Sequence, residues 1–390
     1  MSETDEHPVT ADWLTDVLRA GGVLPHGSVE AVDVVSSRLA TLSRVRRLVV
    51  RYSDPTAAPT HFFLKTTRAG LSPTLRDVGR REVAYYRDVA RYLPGGLVPR
   101  CYSAVWDDDT SRFSLLLEDL TATHAMISEW PVPPTDEQCR RIVQVYARLH
   151  ACLWDHPDLG KTIGTFIDAP LTDWFNRYQQ RFAAFADHLG DRLSPRRRRI
   201  YERAIACGDR LADRHRTRRD LTVVHGDAHA WNSLHSPDGD VRVVDWDDWR
   251  LAPATDDLAY MMAVHWYPER RHRLEDVLLR HYHQALVDAG VRGYGLDALR
   301  HDYRHAVVGQ LVGPGVPALQ QAARGDLVEP PRAHLPGLRR SRVRRAADVT
   351  LRAALARLAT DVAHACNETV PPYTLTGVPK DHGSTRGVSP

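Results

Sequence analysis

The spacing of apolar positions changes once along this chain, from mostly alternating in the first 120 residues to mostly helical beyond Thr135. Residues 8–20, PVTADWLTDVLRA, set Trp13, Leu14, Val17 and Leu18 at helical intervals, and Gly21 and Gly22 then stop the helix. Strand patterns follow: VEAVDVVSS and RRLVVRY flank residues 38–44, and THFFLKTT is a third β-rich stretch ending in a basic residue. GRREVAYYRDVARYL places Val83, Tyr86, Val89 and Ala90 on one helical face. CYSAVWDDDTSRFSLLLEDL reads as a hairpin turning at Asp107 to Asp109. The pattern predicts a small sheet with one helix inside it.

Beyond Thr135 the helical period dominates. Thr135 and Gln138 form a capping-box pattern ahead of Ile142, Tyr146, Leu149 and Leu153. Trp174, Tyr178, Phe182, Phe185 and Leu189 make a second stripe, read as core. Ser194 and Pro195 cap a helix running towards Arg216, and helical patterns resume at 255–267, 273–288, 296–312 and 338–361. The final PPYTLTGVPKDHGSTRGVSP has the composition of a loose tail. One β segment interrupts this half. LTVVHGD reads as a strand entering a loop, and NSLH and VRVVD as a hairpin closed by the Asp-Gly of SPDGD. The strand ends bring Asp227, Asn232 and Asp245 to one end of that unit.

Composition narrows the class. With 390 residues, 43% of them hydrophobic and 26% charged, the chain buries a sizeable core, and no apolar run approaches a membrane span. The polar N-terminus MSETDEHPVT lacks the features of a secretory signal, so a cytoplasmic location is expected. A net charge of +3, with basic clusters SPRRRRI and LRRSRVRR that lack interleaved aromatics, points to solvated helix faces and to no nucleic-acid partner. Five scattered cysteines without a C-x-x-C pair read as free thiols. Oligomeric state leaves no mark in the sequence. Of 52 basic residues only Lys65, Lys161 and Lys380 are lysine, so a lysine kept in an apolar strand invites a chemical explanation.

The carboxylates around residue 227 supply that chemistry. Asn232 follows Asp227 in HGDAHAWN and Asp245 arrives one hairpin later in DWD, the spacing of a kinase catalytic-loop Asp and Asn followed by a metal-binding Asp. A polyphosphate brings several negative charges into a partly dry cleft, and hard cations with oxygen ligands neutralise them. Asn232 and Asp245 suit metal ligation. Asp227, kept off the metal, suits orienting a hydroxyl and accepting its proton.

With EVAYYRDVARYLPGGLVPRCYSAVW, LLLEDL, VVHGDAHAWNSL and VVDWDDWRLAPATDDLAYMM in order over residues 35–265, the chain resembles the aminoglycoside phosphotransferase and choline-kinase-like superfamily, in particular its ecdysteroid-kinase-like branch. The resemblance implies an α+β, protein-kinase-like two-lobe fold: a β-rich N-lobe over 1–118, a hinge at 119–122, a mainly helical C-lobe over 123–365 and a loose tail over 366–390. It implies ATP, with GTP as the other nucleotide open, Mg2+, and a small-molecule hydroxyl as phosphate acceptor. Lys65 then matches the strand lysine that holds nucleotide phosphates and Glu82 the helix glutamate that pairs with it. Glu118, Asp119 and Leu120 fall at the adenine-binding hinge, where backbone groups make the contacts.

One departure stands out. The phosphate-covering loop falls in SSRLATLSRVRRL, which contains no glycine, leaving the hydroxyls of Thr41 and Ser43 as substitutes. This motivates a second reading, a nucleotide-binding pseudokinase acting by interaction. A third takes His225, Asp227 and His229 of HGDAH as metal ligands of a hydrolase. Asp257 resembles the family's structural acid beside the catalytic loop, and Asp247 and Asp248 read as solvated acids.

Overall fold

The computed structural model describes residues 9–40, 42–71, 73–127 and 132–312. Thr41, Trp130, the 338–361 helical pattern and the 366–390 stretch lie outside these residues. The alternating segments pair as their pattern requires. β1 (Val29–Leu39), β2 (Ser43–Tyr52), β3 (His61–Thr67), β4 (Cys101–Asp107) and β5 (Arg112–Glu118) form one antiparallel sheet in the order β1-β2-β3-β5-β4.

Because side chains alternate across a strand, the sheet has two separate tasks. One face presents Leu48, Val50, Phe62, Leu64 and Leu116 to Leu14 and Leu18 of α1 (Ala11–Ala20), whose first turn is capped by Thr10 Oγ1 accepting from Trp13 N at 3.1 Å. The opposite face carries Leu115 and Leu117 and packs on α2 (Pro73–Ala84). This seating requires Gly79, since a Cβ there would lie 2.1 Å from the Phe113 ring.

The chain after α2 departs from the single helix its pattern predicts, and makes a π turn at Tyr85–Val89 and a 3-10 turn at Ala90–Tyr92. Tyr85 and Tyr86 are both buried. Consecutive residues of an α-helix diverge by about 100°, so a widened turn is what lets both rings reach the core.

In the larger lobe, the capping box of α3 (Asp136–Cys152) closes in both directions, Thr135 N to Gln138 Oε1 at 2.7 Å and Gln138 N to Thr135 Oγ1 at 3.2 Å. α4 (Asp168–Leu189), α8 (Pro268–Asp288) and α9 (Leu296–Val312) follow their sequence patterns. The helix predicted from Pro195 to Arg216 divides at Cys207 into α5 (Pro195–Ala206) and α6 (Gly208–Arg216), where Gly208 packs against Phe175. Cys101, Cys139 and Cys152 are free thiols, and Cys366 lies outside the described residues. The 255–267 pattern becomes α7 (Thr255–Ala259) and a π turn, Tyr260–Val264.

Two small ladders interrupt the helical part, and Val223, Val241, Val243 and Leu251 on them belong to its core. β6 (Ala125–Met126), β8 (Ser233–His235) and β9 (Val241–Val243) form one, and β7 (Thr222–Val224) pairs with β10 (Arg250–Ala252) in the other. A continuous apolar cluster runs from β5 and α2 through α3 to α9. Among the described residues no helix is long and apolar enough to cross a membrane.

Candidate active site

The β7–β10 ladder fixes where the HGD segment goes. Arg250 pairs with Val224, so Gly226 comes against the strand leading into β10, where a Cβ would lie 2.1 Å from the Asp248 carbonyl oxygen; its φ of +85 also favours glycine. Asp257, fully buried at the start of α7, ties this loop down. Its Oδ2 accepts from His225 N at 2.7 Å and its Oδ1 from Gly226 N at 2.9 Å, while His150 Nε2 lies 3.1 Å away. Burial alone would raise the Asp257 carboxyl, but these partners hold it below the usual carboxylate range.

Asp227 leaves the loop with its carboxylate surrounded by donors. Oδ2 accepts from Asn232 Nδ2 at 3.1 Å, His229 Nε2 lies 3.3 Å from it, and the Tyr260 hydroxyl is close enough to help lower the carboxyl pKa. Partial burial works against the charge, yet His229 and Tyr260 win and hold its pKa at about 2. Asn232 closes a 3-10 turn, Ala230–Asn232, with Nδ2 shared between the Asp227 carboxylate and its backbone oxygen.

Asp245 lies beyond the strand the pattern gives it. β9 ends at Val243, and Asp245 takes a left-handed conformation, φ 69, which short polar side chains tolerate better than most. The next residue anchors that turn: Trp246 stacks on Tyr85 with ring centroids 3.9 Å apart and donates from Nε1 to Val243 O at 3.2 Å. Asp245 Oδ1 meets Lys65 Nζ at 2.5 Å, across 180 residues of chain. Lys65 also reaches Glu82 at 2.6 Å, and Glu82 is only 2% exposed. Burial would lower the Lys65 pKa, but the two carboxylates hold the ammonium above its ordinary range; the same ammonium keeps Asp245 below its own.

The structure thus brings Lys65, Glu82 and Asp245 into direct contact, with Asp227 near enough to Asp245 for their charges to interact. Ser43 is buried and pairs with Thr67, on the sheet face that carries Lys65.

At the hinge, side chains and some backbone groups are already engaged. Glu118 Oε2 accepts from Arg100 N at 3.1 Å and its own N–H donates to Arg100 O at 2.8 Å. Asp119 takes Arg47 Nε at 2.9 Å and Thr121 N at 2.9 Å, and the Leu120 carbonyl accepts from Thr123 and His124. The Glu118 and Asp119 carboxylates are thus both engaged within the chain.

Two sequence readings need correction. Asp247 is not a solvated acid: burial, with Asp245 beside it, pushes its pKa up to about 7. Asp248 pairs with Arg81 at 3.3 Å. The HGDAH metal cluster also fails, because His225 is fully buried with Nε2 on Val244 O at 2.9 Å and Nδ1 accepting from Asp227 N at 3.2 Å. Both ring nitrogens are occupied. Among the described residues no group of three or more His, Cys, Asp and Glu is placed to hold a metal.

Sequence reasoning missed Tyr260, which helps hold the Asp227 pKa down and also lines a cavity of about 880 Å³ beside the HGD loop. Trp174, Phe175 and Trp249 give that cavity aromatic walls. Its carboxylates are all engaged: Asp248 with Arg81, Asp256 with Arg250 at 3.3 Å, and Asp302 with Arg214 at 2.7 Å.

A family model described as the phosphotransferase enzyme family matches residues 44–295; the match is to the family, not to the ecdysteroid-kinase-like branch. No curated protein matches. Among solved structures, a macrolide 2'-phosphotransferase from Brachybacterium faecium is 17% identical, covering 83% of this chain and 99% of that one, with a TM-score of 0.46. An aminoglycoside phosphotransferase from Alicyclobacillus acidocaldarius is 15% identical over 93% and 99%, TM-score 0.47. A choline kinase from Streptococcus pneumoniae is 12% identical over 90% and 98%, TM-score 0.42.

Proposed function

Since the chain belongs to the phosphotransferase enzyme family and is accordingly a small-molecule kinase, we propose that it transfers the γ-phosphoryl group of ATP, with Mg2+, to a hydroxyl of an acceptor held in the cavity beside Asp227. The observation that carries this reading is the bridge of the Lys65 ammonium between Glu82 and Asp245. Asp245, 180 residues from Lys65 in sequence, has no packing reason to meet that ammonium as a charge at the mouth of a cleft. A site for a polyphosphate gives it one.

The donor set fits a hard cation. Lys65 takes Asp245 Oδ1, yet the Asp245 side chain stays 46% exposed, and Asn232 spends its Nδ2 on Asp227, which leaves its Oδ1 for a ligand. These are two oxygen ligands, too few for a protein cage, and Mg2+ characteristically completes its shell with phosphate oxygens and water. Bound there, Mg2+ would neutralise charge on the transferring phosphate.

The protein's own part is to position. Asp227, ionised at any ordinary pH with a pKa of about 2, is a weak base. It orients the acceptor hydroxyl and takes its proton late, which a loose phosphoryl-transfer transition state permits. Lys65 holds phosphate oxygens from the sheet side, and the hinge backbone near Leu120 meets the base of the nucleotide.

The cavity bears on the acceptor. With every lining carboxylate paired to an arginine, it offers little to a polycation. Its volume and aromatic walls suit a large, ring-bearing acceptor of low positive charge.

Incubation with γ-labelled ATP, Mg2+ and a panel of hydroxylated compounds grouped by charge tests this. Label moves to uncharged ring-bearing alcohols, and Asp227→Asn lowers kcat by roughly 10²–10⁴-fold. Undiminished transfer by that variant would overturn the role given to Asp227. Nucleotide binding without transfer to any acceptor favours the pseudokinase, which the glycine-free β1–β2 turn motivates.

A further inference from the structure

A polyphosphate in this cleft meets an unusual supply of positive charge. Lys65 is already shared by two carboxylates, so the triad it forms is net negative before any nucleotide arrives. The β1–β2 turn has no glycine with which to lay backbone amides against phosphates. Besides the proposed Mg2+, a side-chain cation on the same face of the sheet would make up the difference.

Strand register identifies it. Residues directly opposite in an antiparallel ladder project from the same face of the sheet. Arg38 pairs with Val45, Val45 with Lys65, and Lys65 with Leu115, a single row across four strands. Lys65 marks that face as the one turned to Glu82 and Asp245. Arg38 therefore stands on the cleft face, two strands from Lys65, with their backbones about 10 Å apart.

Its neighbours have other employment. Arg44 donates to Ser37 Oγ at 3.2 Å, Arg47 is held by Asp119 at 2.9 Å, and Arg68 reaches the Ala40 carbonyl at 3.4 Å. Arg46 is buried on the other face beside Thr66. The Arg38 side chain is exposed and makes no hydrogen bond or ion pair among the described residues.

We propose that Arg38 is a phosphate-binding residue, its guanidinium closing over the outer phosphates of the bound nucleotide in place of the amides of a glycine-rich loop, with Ser43 beside it on the same face. The inference rests on the kinase reading above. A guanidinium suits the task because its fork matches phosphate oxygens and its long side chain spans the gap left by a stiffer loop.

Nucleotide binding, measured by calorimetry on the full chain with Mg-ATP, Mg-ADP and adenosine, tests this without any acceptor. Arg38→Ala weakens Mg-ATP by roughly tenfold, the scale of one charge-assisted hydrogen-bond set, and leaves adenosine unchanged. Arg38→Lys recovers part of the loss, and the dependence of ATP affinity on salt falls in Arg38→Ala. An Mg-ATP affinity within about twofold of wild type in Arg38→Ala would sink the proposal alone. Equal losses for ATP and adenosine would also overturn it, by assigning Arg38 to the fold. Failure of the wild-type protein to bind Mg-ATP would instead overturn the kinase reading, and this inference with it.

Discussion

Lys65 concentrates the residue-scale logic of the site. Its ammonium is the only counter-charge in contact with Glu82 among the described residues, and Glu82 is 2% exposed. Removing the ammonium strands a carboxylate in a place that water does not reach. Lys65→Met should therefore cost about 3 kcal/mol of folding stability, read from urea denaturation, besides weakening ATP. Adding Glu82→Gln should return part of that loss, because the buried group no longer carries charge; a double variant no more stable than Lys65→Met would disprove the coupling. The family resemblance implied both residues, and the rarity of lysine singled out one of them as well. Neither gave any sign that Asp245 would share the same ammonium. Tyr260 was invisible for a similar reason, since nothing local to YMMAV distinguishes a core tyrosine from one whose hydroxyl reaches Asp227.

At the scale of elements, the surprises are where helices stop being regular. The segments after α2 and α7 both widen into π turns, and each places a tyrosine at the site: Tyr85 under Trp246, Tyr260 against Asp227. Apolar periodicity locates a helix but is too coarse to register one extra residue in a turn. β7 was legible in LTVVHGD, but its partner β10 (Arg250–Ala252) escaped notice, because a pairing between segments some 25 residues apart is set by tertiary contact and not by local alternation.

The same ladder and α7 meet at Asp257, whose folded-state pKa is depressed by its partners. A depressed carboxylate contributes stability that is fully present above its unfolded pKa and disappears as pH falls through the folded value. The melting temperature should therefore drop steeply as pH is lowered below about 4. Asp257→Asn should be less stable at neutral pH and show a shallower decline. An unchanged slope in that variant would remove Asp257 from the account.

For the whole molecule, the site exists only where the lobes meet. Lys65 and Glu82 belong to the small lobe and Asp227, Asn232 and Asp245 to the large one, so a nucleotide that touches both binds only the assembled protein. Mg-ATP at 100 times its dissociation constant should add about 2.7 kcal/mol to stability, visible as a raised melting temperature. Asp245→Asn should keep the response to adenosine and lose most of the increment due to Mg2+. A magnesium response that survives this substitution would place the cation elsewhere.

The sequence by itself determined the alternation that makes a five-stranded sheet, the helical half that follows, and the spacing that puts Asp227, Asn232 and Asp245 in the turns flanking short strands. These are local properties, set by the period of the backbone and by turn chemistry such as Asp-Gly. The tertiary structure alone decided which carboxylate Lys65 would share, which aspartates would lie in water, and which arginines would be left unpaired. Those outcomes depend on distance and burial across as many as 180 residues of chain, and the Coulomb and desolvation energies that govern them have no counterpart in local sequence.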